Sequence, residues 1–112
     1  MPGHIVTSYD EELASLAGSL ADMGQRAGGM LDNAVSSLLR ADHSLARRII
    51  ASDVAVNALQ RQVEERAIAI IARRQPMAQD LRQIIAAIRI ANELERIADL
   101  GKNVARRTLA VD

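Results

Sequence analysis

The sequence predicts an all-α protein folded as an elongated, antiparallel up-down-up bundle of three helices. Three observations predict it. Apolar residues recur at alternating spacings of three and four through three successive stretches, the period of one face of a helix. Chain-reversal signals stand at two places, Arg40-Ala41-Asp42-His43 and Gln75-Pro76. Hydrophobic residues make up 49% of the 112, almost all Ala, Leu, Ile, Val and Met, and Tyr9 is the only aromatic. Such a composition builds its core from aliphatic knobs on helices.

The first helix is predicted over 7–40. Thr7 or Ser8 can cap it, and Asp10, Glu11 and Glu12 follow in the opening turn, where carboxylates suit the positive end of the helix dipole. Its seam is Leu13, Leu16, Leu20, Met23, Ala27, Met30, Ala34 and Leu38. Gly28-Gly29 interrupts that seam at a cost of about 2 kcal/mol relative to two alanines. The pair reads as a kink, a close backbone approach or a break.

Asp42 is the expected N-cap of the second helix, predicted over 43–74. Its seam runs Leu45, Ile49, Val56, Leu59, Val63, Ala67 and Ile70, and Arg73-Arg74 suit its negative C-terminal end. The third helix is predicted over 76–108, with Pro76 at a position that needs no N–H donor and Asp80 in the first turn. About 30 residues per helix gives about 45 Å each, and short connections force neighbours antiparallel. Apolar residues of the third helix fall on two sides: Met77, Leu81, Ile84, Ile85 and Ile88, then Ile90, Leu94, Ile97, Gly101 and Val104. Either neighbours wrap it on both sides or part of that surface is an interface.

Composition excludes several function classes. The length fits one domain. Without cysteine there are no disulfides and no thiolate metal sites. Lys+Arg and Asp+Glu are 14 each, so no basic surplus drives nucleic-acid binding, and a lone tyrosine makes no base-stacking platform. No apolar run approaches the roughly 20 residues of a membrane span, and Met1-Pro2-Gly3-His4 does not open a signal peptide. A soluble cytoplasmic protein without membrane insertion is expected.

Chemistry-bearing side chains gather on the second and third helices. Glu95 and Asp99 are spaced i,i+4 and share a face. Asn92, Arg96, Asp99 and Asn103 form one ridge; Asp53, Asn57, Gln60 and Glu64 form another. Asp53 and Asp99 lie almost equally far from the turn at Gln75-Pro76, and so do Asn57 and Glu95. In an antiparallel hairpin such pairs sit at one height, so Asp53, Asn57, Glu95 and Asp99 can meet across a groove. Oxygen-only ligation suits Mg²⁺, Ca²⁺, Mn²⁺ or iron. The competing reading is an ordinary solvated face, with Arg96 and Lys102 balancing Glu95 and Asp99. Other chemistry is poorly served. No glycine loop precedes Lys-Ser/Thr, neither His4 nor His43 sits in a Glu-x-x-His pair, and no histidine is positioned beside a serine. The protein is not expected to be an enzyme.

The chain resembles one repeat of the PhoU family, the phosphate-uptake regulatory proteins of bacteria. The resemblance runs through His4 to Leu13, Arg40 to Asp42, Ala72 to Arg82 and, most specifically, Ala87 to Ala105. It implies a three-helix bundle, usually in tandem copies, and E/D-x-x-x-D motifs that bind metal on the bundle surface. Glu95-Arg-Ile-Ala-Asp99 matches one motif; at Asp53-Val-Ala-Val-Asn57 the final acid is replaced by Asn, so weak binding of a divalent metal or iron (Mg, Mn, Fe or Zn) is implied. The resemblance also implies a negative regulator that links the ATPase of the phosphate ABC transporter to a sensor histidine kinase. The chain holds one copy, resembling the first, which fits a piece of a longer chain and a single-repeat form equally. A single copy lacks a neighbour over its apolar surface, so a homodimer is expected, its contact including residues from the apolar set Leu81, Ile84, Ile85 and Ile88. Two other functions stay open beside the regulator: a metal-binding or storage bundle, and a structural oligomerisation module.

Overall fold

The computed structural model describes residues 2–111, with side chains from Ser8 onward. Three helices make up the fold: α1 (Pro2–Arg40), α2 (His43–Arg74) and α3 (Ala78–Ala110). Each packs against both others, in a rod of 64 × 20 × 17 Å. The all-α three-helix bundle expected from the sequence is what forms.

Helix α1 begins at Pro2, upstream of the expected start at Thr7 or Ser8. Proline suits a first helical position because its missing N–H would have had no partner there. Ser8 is therefore no cap, and the side chains of Thr7 and His4 lie outside the described residues. Asp10, Glu11 and Glu12 fall in later turns. Glu12 instead reaches across to α2, where Arg73 Nη2 donates to Oε2 at 3.2 Å and Arg74 donates to Oε1.

The first reversal follows from local hydrogen bonding. Ala41 takes the left-handed conformation at φ 53°. The Asp42 N–H donates to Ser37 O at 2.8 Å and the Ala41 N–H to Leu38 O at 3.3 Å, the Schellman pairing that closes a helix end. The Asp42 carboxylate then accepts from Leu45 N–H at 3.0 Å and starts α2. A β-carbon is unfavourable at this φ. Ala41→Gly is therefore expected to stabilise the protein by about 0.5–1 kcal/mol, read from the urea unfolding midpoint.

At the second reversal α3 starts two residues later than expected. The ring of Pro76 disfavours right-handed helix at Gln75, which takes φ 46° while its N–H closes α2 on Ile71 O. Pro76 then lies in the link, and extended Met77 is the N-cap, with no side-chain hydrogen bond. Asp80 keeps its place in the first turn of α3.

The core runs the length of the rod. Leu16, Met23, Ala27, Met30 and Ala34 of α1 meet Ala46, Ile49, Val56, Val63, Ala67 and Ile70 of α2 and Ile84, Ala87, Ala91, Ala98 and Ala105 of α3. The α1 seam departs from expectation at its end. Leu38 is exposed, and Ser37 is buried, bonded to Thr108 Oγ1 at 3.1 Å. Gly28-Gly29 neither breaks α1 nor admits a close neighbour, since a β-carbon there would meet nothing within 4 Å. The close approach is at Gly101, where a β-carbon would lie 3.1 Å from the α1 backbone at Met30 and Leu31.

Packing on two sides accounts for the double pattern of α3. Its buried stripe is mostly small residues, with Ala87, Ala91, Ala98, Gly101 and Ala105 facing the other helices. Large side chains flank the stripe: Ile90 and Ile97 remain partly exposed. The expected interface set does not form a surface patch. Ile84 is fully buried, Leu81 and Ile88 are half-buried, and Ile85 alone of the four is exposed.

Candidate metal site in the α2–α3 groove

Position 53 is a core position occupied by an acid. Ile49, Asp53 and Val56 follow one another at the core spacing of α2, and Asp53 is only 5% exposed. Opposite it, Glu95 and Asp99 lie one turn apart on the edge of α3 beside the buried Ala98. One carboxylate oxygen from each of Asp53, Glu95 and Asp99 lies within 4.8 Å of the other two. Equal distance from the Gln75-Pro76 turn therefore brings these acids together, as the sequence predicts. Burial grades across the site, from buried Asp53 through half-buried Glu95 to exposed Asp99.

Asn57 joins the site as a donor. Its Nδ2 gives a hydrogen bond to Asp53 Oδ2 at 3.1 Å. Lys102 Nζ donates to the same oxygen at 3.1 Å. Asp53 Oδ1 is buried and has no hydrogen-bond partner among the described residues. One turn closer to the Pro76 link, Gln60 Nε2 donates to Asn92 Oδ1 at 2.8 Å and ties α2 to α3. Arg96 does not balance Glu95 directly; it pairs on the exposed side with Glu93 at 3.3 Å.

Lys102, expected to balance Glu95 and Asp99, pairs instead with Asp53, and a signal for that existed. It stands seven residues after Glu95 and three after Asp99, on the same ridge. Long side chains on a helix lean toward its N-terminus. On α3 that direction leads toward the Pro76 link, so Lys102 reaches back one turn to the height of Asp53. Asp53 was named as a ligand, but its burial had a separate signal, the gap between Ile49 and Val56 in the apolar seam.

Electrostatics favour an added cation. Glu95 holds its proton above the usual carboxylate range. Burial is the main cause, followed by the charges of Asp99 and Asp53, with Arg96 and Lys102 opposing. A raised folded value means that the unfolded chain releases this proton first as pH rises. The stability contributed by protonated Glu95 is thus present at acid pH and lost as pH climbs from the unfolded to the folded value. Glu95→Gln is accordingly expected to raise the thermal midpoint of metal-free protein at neutral pH. The gain should vanish below the ordinary glutamate range, as melts across pH would show.

The donor set fits a hard divalent ion. All three acids offer oxygen, and the partnerless Asp53 Oδ1 is a buried acceptor that a cation would satisfy. Opposite ligand oxygens lie about 4.6–5.2 Å apart around Ca²⁺ and about 4.0–4.2 Å around Mg²⁺. Only one of the three pairs can stand on opposite sides of an ion, so oxygens now within 4.8 Å of one another would draw in around it as it enters.

The family model "PhoU domain" matches residues 20–108. A protein of Rhizobium meliloti (strain 1021) is 46% identical over 108 residues, which cover 96% of this chain and 46% of that protein. One from Caulobacter vibrioides (strain NA1000 / CB15N) is 40% identical over 109 residues, 97% of this chain and 47% of that protein. Another from Xylella fastidiosa (strain Temecula1 / ATCC 700964) is also 40% identical, across 97% of this chain and 45% of that protein. All three are named "Phosphate-specific transport system accessory protein PhoU homolog". The chain spans about half the length of these curated relatives. With the domain match covering most of its length and relatives 40–46% identical across nearly all of it, the chain belongs to the PhoU family.

Proposed function

We propose that the chain is a non-enzymatic regulatory module of phosphate uptake and phosphate-starvation signalling. The observation that carries this reading is the match of the PhoU domain across residues 20–108. Relatives sharing nearly the whole of this chain are named as accessory proteins of phosphate-specific transport, which supports it. In this reading the 112 residues act as one cytoplasmic domain, an adaptor between the ATPase of the phosphate ABC transporter and a sensor histidine kinase. No described helix is long and apolar enough to cross a membrane, so these residues would meet a transporter through their surface.

Asp53, Glu95 and Asp99 are the proposed metal ligands, with Asn57 supporting Asp53. A bound divalent ion or iron (Mg, Mn, Fe or Zn) would neutralise the groove and cross-link α2 to α3. Self-association belongs to the same proposal, and Ile84 of the expected set lines the groove it would use. Leu13, Leu20 and Ile90 line an apolar groove between α1 and α3, and a second copy would cover it with an interface of about 1,200–2,000 Å².

Pull-down of the purified transporter ATPase and kinase by the tagged chain tests the adaptor. Retention of neither protein would remove it. Stoichiometric metal after chelator-free purification, without either partner bound, would favour the storage reading instead. Light scattering that gives a monomer mass at high micromolar concentration would remove the dimer.

A further inference from the structure

The acidic groove already holds a cation of its own. Lys102 Nζ lies 3.1 Å from Asp53 Oδ2, and the side chains of the pair are 22% and 7% exposed. We propose that Lys102 is the resident counter-ion of the metal-free site, and that its ammonium must leave Asp53 when a divalent ion enters, so that Lys102 sets the affinity and the threshold of metal binding. This inference rests on the reading of the groove as a metal site.

Charge and geometry carry it together. Three carboxylates converge within 4.8 Å, and the most buried of them is the one Lys102 touches. Asp53 Oδ2 takes both donors, Lys102 and Asn57, while Oδ1 has none among the described residues. One oxygen of the carboxylate is therefore satisfied by the ammonium and Asn57, while the other is enclosed without a donor. A divalent ion on Oδ1 would face the ammonium across a single carboxylate group, and like charges at that separation repel strongly. Lysine suits a counter-ion that leaves. Its charge is compact and strongly hydrated on a flexible four-carbon stem, and partial exposure gives that stem a route to solvent. An arginine fork would hold the carboxylate through two bonds and release it less readily.

The test is calorimetric titration of Mn²⁺ into metal-free protein, repeated for Lys102→Met, Lys102→Gln and Glu95→Gln, with thermal melts of each. Removing the ammonium removes its repulsion of the incoming divalent ion, so binding should tighten. Lys102→Met should bind Mn²⁺ at least about tenfold more tightly than the wild type, since like charges a few ångströms apart cost more than the roughly 1.4 kcal/mol of a tenfold change, and melt at a lower temperature without metal, with Mn²⁺ restoring the loss. Lys102→Gln, which keeps a donor for Asp53, guards against a folding defect and should show the same gain. Equal or weaker Mn²⁺ binding by a folded Lys102 variant, with Glu95→Gln abolishing binding, would overturn the counter-ion role and leave the metal site standing. No heat from wild type or any variant would overturn both.

Discussion

Ile84→Ala is expected to destabilise the protein by about 2–5 kcal/mol, the usual cost of emptying a filled core site. Ile84 is fully buried, among the largest enclosed side chains of the bundle. It faces Leu13, Leu16, Ala17 and Leu20 of α1, and alanine would leave a void that rigid helix backbones cannot collapse. Its neighbour Ile85 is 37% exposed, so Ile85→Ala should cost at most about 1 kcal/mol. Urea unfolding of the two variants separates them by their midpoints. Similar costs would mean that Ile84 is not enclosed. The same geometry changes what Ile88→Asp does. Sequence reasoning placed Ile88 on a dimer surface, where the change would split a dimer and spare the fold. Ile88 packs against the core, so burying a charge there should destabilise the bundle itself.

The second large effect concerns two kinds of glycine and one substitution. Gly28→Ala and Gly29→Ala should each stabilise α1 by about 0.8–1 kcal/mol, because alanine is the better helix former. Both sites have open space for the β-carbon. Gly101→Ala carries the same propensity gain but should destabilise the protein by about 1–3 kcal/mol. Its β-carbon would sit 3.1 Å from Met30 C and Leu31 N and 3.2 Å from Met30 O. Those are backbone atoms inside a helix, so relief requires moving α1 away from α3 and loosening the packing of Met30 and Ala98. Guanidinium melts of the three variants give the signs directly. A stabilised Gly101→Ala would show that the two helices have room to part.

Residues of the candidate metal site were legible to unequal degrees. Asp53, Glu95 and Asp99 could be brought together from sequence because hairpin register is arithmetic: positions equidistant from the Pro76 link share a height. Asn57 was read as a neutral oxygen ligand, and its height was right, but it turns an amide N–H toward Asp53. Which end of an amide faces a neighbour depends on that neighbour's charge and burial, and spacing carries neither. Lys102 was read as a balancing charge for Glu95 and Asp99. Its actual partner is the acid across the groove on α2, a contact set by side-chain lean and the packing of two helices.

By itself the sequence determined the helix count, the two reversal points, the Asp42 cap and most of the α2 seam, though not the buried Ala46 and Asp53. All of these rest on interactions within a few residues, where periodicity, capping and the stereochemistry of proline act alone. Tertiary structure decided the rest. It decided that Gly101, rather than Gly28-Gly29, takes the close approach, because approach is a property of two backbones. It replaced Leu38 by Ser37 at the end of the core, where Thr108 of α3 supplies a hydroxyl partner. It buried Ile84 and left Ile85 outside, because α1 and α2 together cover more of α3 than a single stripe. And it left one carboxylate oxygen of Asp53 enclosed without a donor, because the groove that draws in Lys102 and Asn57 brings both to the other oxygen.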